Sequence, residues 1–277
     1  MPPRGVCAIL GGQTEFLEKY GEVVGELTAR GFAVAAFDWR GQGGSMRRLP
    51  DMLKVHVGDF EEYDEDLEAF IDQIVQPMSD RPALALAHSM GAHNLLRMLH
   101  DRPKCFAAAV MTAPMLRAST RGNPAWLVRL ICRAHNLNGA STDWVWGMDR
   151  RDPLAMTFED NLVTSDRGRF ARMQDMLAAN PAIRLAGPTW GWLEAAYRSM
   201  ARVASPGFAE AIATPILIVG AGRDRIVQTA AARAFAHRLP NGTWLELEDS
   251  EHEILMENDS IRSRFWAAFD AFVERMP

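Results

Sequence analysis

The sequence predicts an α/β protein, a mainly parallel sheet flanked by helices and interrupted by an inserted helical cap. Three observations predict it. Short apolar, β-rich runs alternate with longer amphipathic stretches, as expected for strands buried between layers of helix. A serine stands in Ala87-His88-Ser89-Met90-Gly91, between an apolar run and a segment with apolar residues at helical spacing. The alternation lapses between about Met115 and Pro206 and resumes at Thr214-Pro215-Ile216-Leu217-Ile218-Val219.

In chain order, strands are expected at residues 6–10, 33–37, 83–87, 107–112, 215–219 and 243–247. Helices are expected at residues 15–30, 60–76 and 90–101, with Gly31 stopping the first. After the sixth strand, residues 261–275 set Phe265, Trp266, Phe269 and Phe272 among polar side chains, a C-terminal helix with one buried face. Residues 115–206 hold Pro, Gly and Trp among helix-like pieces and no convincing strand. The domain organisation is therefore a core of residues 1–114 and 207–277 carrying a cap of residues 115–206.

The 277 residues, 48% hydrophobic and 23% charged, have room for one large domain with an insertion. A net charge of −5 with no basic stripe argues against nucleic acid as a partner. Cys7, Cys105 and Cys132 are few, odd in number and without metal-ligand spacing, so they read as reduced, mostly buried thiols, and no metal is expected. The first residues lack a charged segment followed by an apolar core, and nothing approaches the ~20 apolar residues of a membrane span. The expectation is a soluble, cytoplasmic protein.

A serine on a sharp strand-to-helix turn has the geometry of a nucleophile elbow, which lifts the hydroxyl clear of the backbone. Small residues two positions either side let strand and helix approach; here they are Ala87 and Gly91. A serine hydroxyl needs a base, and the base an acid, in the chain order Ser, Asp or Glu, His. Asp224 and His252 supply that order, each just past the end of a predicted strand, at the carboxyl edge where Ser89 also falls. Asp249 and Glu251 are rival acids. The alternative for Ser89 is a helix cap; for Asp224, a cap for the helix near Thr229 or a partner for Arg223 or Arg225. His88 and His93 flank the serine and read as packing or surface residues.

Acyl transfer also needs donors aimed at the developing oxyanion, worth on the order of 3 kcal/mol each. The backbone N–H of Met90 is one candidate. The other falls in Gly11-Gly12-Gln13-Thr14, where the N–H of Gln13 is favoured over an ordinary glycine-rich turn. The loop lacks the three-glycine spacing of a dinucleotide fingerprint, and no organic cofactor is expected.

Taken together, these residues resemble the α/β-hydrolase superfamily, and within it the monoacylglycerol lipase and bacterial lysophospholipase branch. The resemblance spans nearly the whole chain. Residues 12–20 resemble that branch's oxyanion loop and first helix. Phe37-Asp38-Trp39-Arg40-Gly41-Gln42-Gly43-Gly44-Ser45 is similar to its Asp-x-Arg-Gly-x-Gly-x-Ser segment, and Pro188-Thr189-Trp190-Gly191-Trp192-Leu193 to a cap segment of the lysophospholipase-like members. The resemblance implies Ser89, Asp224 and His252 as a triad, with Gln13 and Met90 as backbone oxyanion donors. Two departures stand out. Ala87 replaces a glycine of the elbow. The chain also begins almost at the first parallel strand, where family members usually carry a leading antiparallel hairpin. Without that hairpin, residues 33–37 become a sheet edge open to pairing, which a homodimer or an alternative upstream start would relieve.

Five of the eight tryptophans, Trp126, Trp144, Trp146, Trp190 and Trp192, lie in the insertion with Met148, Met156, Met173 and Met176. Singly, each serves as well to give a small cap its core; as a group they favour an apolar substrate moiety. Trp190 and Trp192 are the candidate substrate-binding residues. Residues 124–133 combine apolar side chains with Arg129 and Arg133 and could lie transiently on a membrane surface, although packing on the core is the simpler account. The activity expected is hydrolysis of carboxylic esters of single-chain acyl lipids, lysophospholipid or monoacylglycerol. The alternatives are a small-ester carboxylesterase of the same fold and a catalytically silent hydrolase-like binding protein.

Overall fold

In the computed structural model, which describes residues 4–80, 83–120, 122–146 and 152–275, the elements follow in the order β1 (Gly5–Leu10), α1 (Gly21–Ala29), β2 (Phe32–Ala36), β3 (Lys54–Val55), α2 (Glu61–Phe70), β4 (Leu84–His88), α3 (Ser89–Asp101) and β5 (Ala108–Thr112). Next come α4 (Ala125–Leu137), α5 (Arg167–Ala179), β6 (Gly187–Pro188), α6 (Trp190–Val203), β7 (Ile216–Ala221), α7 (Thr229–Ala236), β8 (Gly242–Leu247) and α8 (Asp259–Val273).

Six strands pair in the order β2-β1-β4-β5-β7-β8, every pair parallel. These are the six runs expected from the sequence. In β1, β4, β5 and β7 every residue is buried, because helices cover both faces, and this is why they read as unbroken apolar runs. Side chains divide between the faces with period two. Cys7, Ile9, Leu84, Leu86, Leu217 and Val219 pack with Val23 and Leu27 of α1 and Phe265 and Phe269 of α8. Val6, Ala8, Leu10, Ala85, Ala87 and Met111 pack on the other face with α2, α3 and α7. Among the described residues β2 forms one edge of the sheet and β8 the other.

Two expected helices differ in detail. The first begins with a tight turn at Leu17–Tyr20 before α1, because the Glu15 side chain is turned back toward the Gly12 N–H. The second is α-helical only to Phe70, continues as a wider turn over Ile71–Val75 and closes with a tight turn at Gln76–Met78 that contains Pro77. The sequence also hid two short strands. Lys54–Val55 and Gly187–Pro188 pair in parallel as a separate two-stranded sheet, extended by the Ala186 N–H to Leu53 C=O bond at 2.9 Å and the Thr189 N–H to Val55 C=O bond at 3.0 Å. Two residues carry no periodicity, so this clasp between the loop after β2 and the chain ahead of α6 has no sequence signature.

Candidate active site

Ser89 follows the last residue of β4 and opens α3, with a φ of +49°, in the left-handed region a serine seldom occupies. Two neighbours make the turn feasible. A Cβ on Gly91 would meet the carbonyl oxygens of Leu10 and Gly11 at 2.3 and 2.4 Å, so only glycine fits. Ala87 lies before the turn, paired with Leu10 and Met111 and fully buried, so its methyl is accommodated in the core.

The Ser89 hydroxyl donates to Nε2 of His252 at 3.0 Å, and Nδ1–H of His252 donates to Oδ2 of Asp224 at 2.6 Å. His252 and Ser89 are 4% and 7% exposed, and the Asp224 carboxylate is fully buried. Three strand ends bring them together: β4 carries Ser89, the turn after β7 carries Asp224 and the loop after β8 carries His252. The other oxygen of Asp224 accepts the N–H groups of Ile226 and Val227 at 2.8 and 2.9 Å, which fixes the carboxylate toward the imidazole. The rival acids are occupied elsewhere, Asp249 by Arg264 and Glu251 by Arg225.

Met90 occupies the first turn of α3, where amides have no intrahelical acceptor. In the loop after β1 the Gly12 N–H is taken by Glu15 and the Thr14 N–H by Oε1 of Gln42 at 2.9 Å, while among the described residues no acceptor meets the Gln13 N–H. The Gln42 side chain is completely buried and also donates to the Gly12 carbonyl at 3.0 Å, and the Trp39 indole donates to the Gly11 carbonyl at 2.9 Å. Gln42 and Trp39 thus hold the loop that presents Gln13. The sequence marked their segment as distinctive without disclosing this role, since the contact joins residues about thirty positions apart.

His88 is buried, its ring 4.8 Å from that of His252 and its Nδ1 3.0 Å from the Thr112 hydroxyl. Burial pushes its pKa down to about 4 despite the opposing Glu15 carboxylate, so it packs as a neutral ring. His93 is buried as well and bonds Ser199 at 2.6 Å, with its pKa lowered by burial to about 3.

Two cavities of similar size are lined in part by residues between 115 and 206. One, of about 390 Å³, is bounded by Ala118, Leu127, Val128, Ile131, Trp190 and Leu193. The other, of about 360 Å³, is bounded by Thr14, Lys19, Met156, Leu177, Ile226 and Glu253. The two candidate tryptophans part company here. Trp190 lines the first cavity, stacked on His135 with ring centroids 4.2 Å apart. Trp192 borders neither; its indole N–H donates to the Tyr63 hydroxyl at 3.1 Å and its ring packs on Phe60 in the core. Met148 lies outside the described residues.

Residues 1–259 match the Hydrolase_4 family, described as serine aminopeptidase, S33, and the chain belongs to that hydrolase family. It is 33% identical to lysophospholipase L2 of Escherichia coli strain K12 over 266 residues, covering 93% of this chain and 77% of that protein. It is 25% identical to the monoacylglycerol lipase of Mycolicibacterium smegmatis over 237 residues, covering 86% of this chain and 76% of that one. In architecture it is similar to the crystal structure of Paleococcus ferrophilus monoacylglycerol lipase, with a TM-score of 0.74, 22% identity and coverage of 99% and 96% of the two chains. The fold is that of the α/β-hydrolases.

Proposed function

We propose that this protein is a serine hydrolase that cleaves carboxylic esters of single-chain acyl lipids through an acyl-enzyme on Ser89. The observation that carries the reading is the unbroken chain from the Ser89 hydroxyl through the His252 imidazole to the Asp224 carboxylate, at 3.0 and 2.6 Å. Ser89 attacks the ester carbonyl as His252 takes its proton. Asp224 holds the imidazole tautomer and stabilises the imidazolium. The N–H groups of Gln13 and Met90 receive the oxyanion, and His252 returns the proton to the leaving alcohol. Water then repeats the sequence to free the fatty acid. The lipid assignment rests on the names of the similar proteins.

Residues 115–206 serve in this reading as the cap that shapes substrate access. Its helix α4 buries one residue, Cys132, and exposes Trp126 (68%), Leu130 (57%) and Leu137 (78%) along one face, with Arg129 and Arg133 between them. Such a face suits transient contact with a lipid surface carrying negative charge. Among the described residues no helix is long and apolar enough to cross a membrane.

The test is kcat/KM over monoacyl esters of increasing chain length and varied head group, for wild type and Ser89→Ala. Long-chain esters should be preferred, and Ser89→Ala should lower kcat by about 10⁴- to 10⁶-fold with the fold intact. An optimum at acetate or butyrate would promote the small-ester reading. Retention of about a tenth of wild-type activity by pure Ser89→Ala would place the nucleophile elsewhere.

A further inference from the structure

Outside the triad the most unusual chemistry is a buried ion cluster between the two loops that frame it. We propose that Lys19, with Glu15 and Glu253, braces the oxyanion loop against the loop carrying His252, making Lys19 a positioning residue for acyl transfer; the proposal rests on the reading of Ser89, Asp224 and His252 as the triad. The Lys19 ammonium donates to Oε1 of Glu15 at 2.8 Å and to Oε1 of Glu253 at 2.6 Å. These side chains are 5%, 5% and 12% exposed. The second oxygen of Glu15 accepts the Gly12 N–H, next to Gln13, and the Tyr20 hydroxyl at 2.5 Å. Glu253 adjoins His252, and its own amide donates to the Val163 carbonyl at 2.7 Å. One ammonium therefore joins the amide row of the oxyanion loop to the residue beside the catalytic base.

The Glu15 and Lys19 charges are held. Burial works against Glu15 ionising, but the Lys19 ammonium and the hydrogen bonds from Lys19 and Tyr20 outweigh it and hold the carboxyl well below the usual carboxylate range. Burial likewise opposes the Lys19 charge, and the two carboxylates outweigh it and keep the ammonium above the ordinary lysine range. Glu253 is pushed up by burial, with Lys19 opposing. Apolar side chains of similar volume commonly stabilise a core as well as a buried ion group does. What they cannot reproduce is a directional tether between two loops. The reaction needs such a tether because the Gln13 N–H and the His252 ring must be set relative to one Ser89 oxygen, and a displacement of about 1 Å costs on the order of 10² in rate.

The experiment compares Lys19→Met/Glu253→Leu, which removes the ammonium tether while Glu15 keeps its bonds from the Gly12 N–H and the Tyr20 hydroxyl, with Lys19→Arg and Glu253→Gln. Each is assayed on a water-soluble butyrate ester and by the rate of fluorophosphonate labelling at Ser89. In the double variant kcat and labelling rate should fall about 30- to 100-fold, with KM within about twofold and the protein folded by circular dichroism. Lys19→Arg, which keeps the tether, should remain within about fivefold in kcat. A folded double variant within about threefold of wild-type kcat overturns the proposal, as does a loss confined to thermal stability or to KM. If neither the double variant nor Glu253→Gln folds, the cluster serves stability and the proposal fails. Labelling that persists in Ser89→Ala would sink the triad reading itself and the brace with it.

Discussion

Along the carboxyl edge of the sheet, polar side chains from β4 and from the segments after β2, β4, β7 and β8 interlock at hydrogen-bond distance, whereas the insertion between β5 and β7 leaves large rings in solvent. At the edge, Ser89, Gln42, His88 and His252 are all buried and each meets a defined partner. In the insertion, Trp126 and Trp146 are 68% and 65% exposed, and α4 buries a single side chain. Buried polar groups are costly unless satisfied, so the edge admits essentially one arrangement. Apolar contact is non-directional and tolerates many. The lesson is that the two regions are held by different physical materials, and under the proposed function mutations in each should fail differently.

The largest expected effect lies at the edge. Asp224→Asn should lower kcat by about 10⁴-fold, as loss of the acid does in a serine protease triad. Asp249→Asn, removing an exposed carboxylate paired with Arg264, should leave kcat within about twofold. Steady-state kinetics on a soluble ester decides it, and the reverse ranking would reassign the acid.

The two tryptophans sharpen the contrast within one helix. Trp190→Ala should erode the preference for long over short acyl chains, since each methylene buried in an apolar cavity contributes about 0.8 kcal/mol. Turnover of an acetyl ester should hardly change. Trp192→Ala removes a core ring and its bond to Tyr63, so it should cost about 3–5 kcal/mol of stability by denaturant titration. Equal erosion of chain-length preference by both would show that the helix acts as a unit.

A smaller effect is expected on the exposed face of α4. Trp126→Ala with Leu130→Ala should reduce hydrolysis of lysophospholipid carried in anionic vesicles by about tenfold and leave a dissolved short ester untouched. Equal rates on vesicles would remove the membrane-contact proposal.

The smallest is a slope with pH. Burial pushes His88 down to about 4 and His93 to about 3, and lowers His56 too, against an ordinary 6.5. As pH falls below 6.5 the unfolded chain takes up protons that the folded protein refuses. The stability these histidines contribute is therefore complete above about 6.5 and is lost progressively toward pH 4. The melting temperature should fall over that window, and His93→Gln should flatten the fall. A curve flat from pH 7 to 4.5 would mean that the edge is less tightly closed than its geometry implies.

What the sequence determined by itself is the sheet and the placing of Ser89, Asp224 and His252 at its carboxyl edge, because both are written in local pattern. A strand covered on both faces must be a continuous apolar run, so residues 83–87 and 215–219 declared β4 and β7. A sharp strand-to-helix turn needs small residues at fixed offsets, so Ala87 and Gly91 marked the turn at Ser89, and strand ends placed Asp224 and His252. Only the tertiary structure decided the rest. Gln42 holds the loop of Gln13 from about thirty residues away, and Lys19 meets Glu253 across 234 positions. Trp192 bonded Tyr63 while Trp190 stacked on His135 beside a cavity, although only Gly191 separates them in α6. Such contacts have no period and no composition. They arise from how helices and loops stack, and a side chain's partner across that stacking is set by geometry that the neighbouring sequence does not encode.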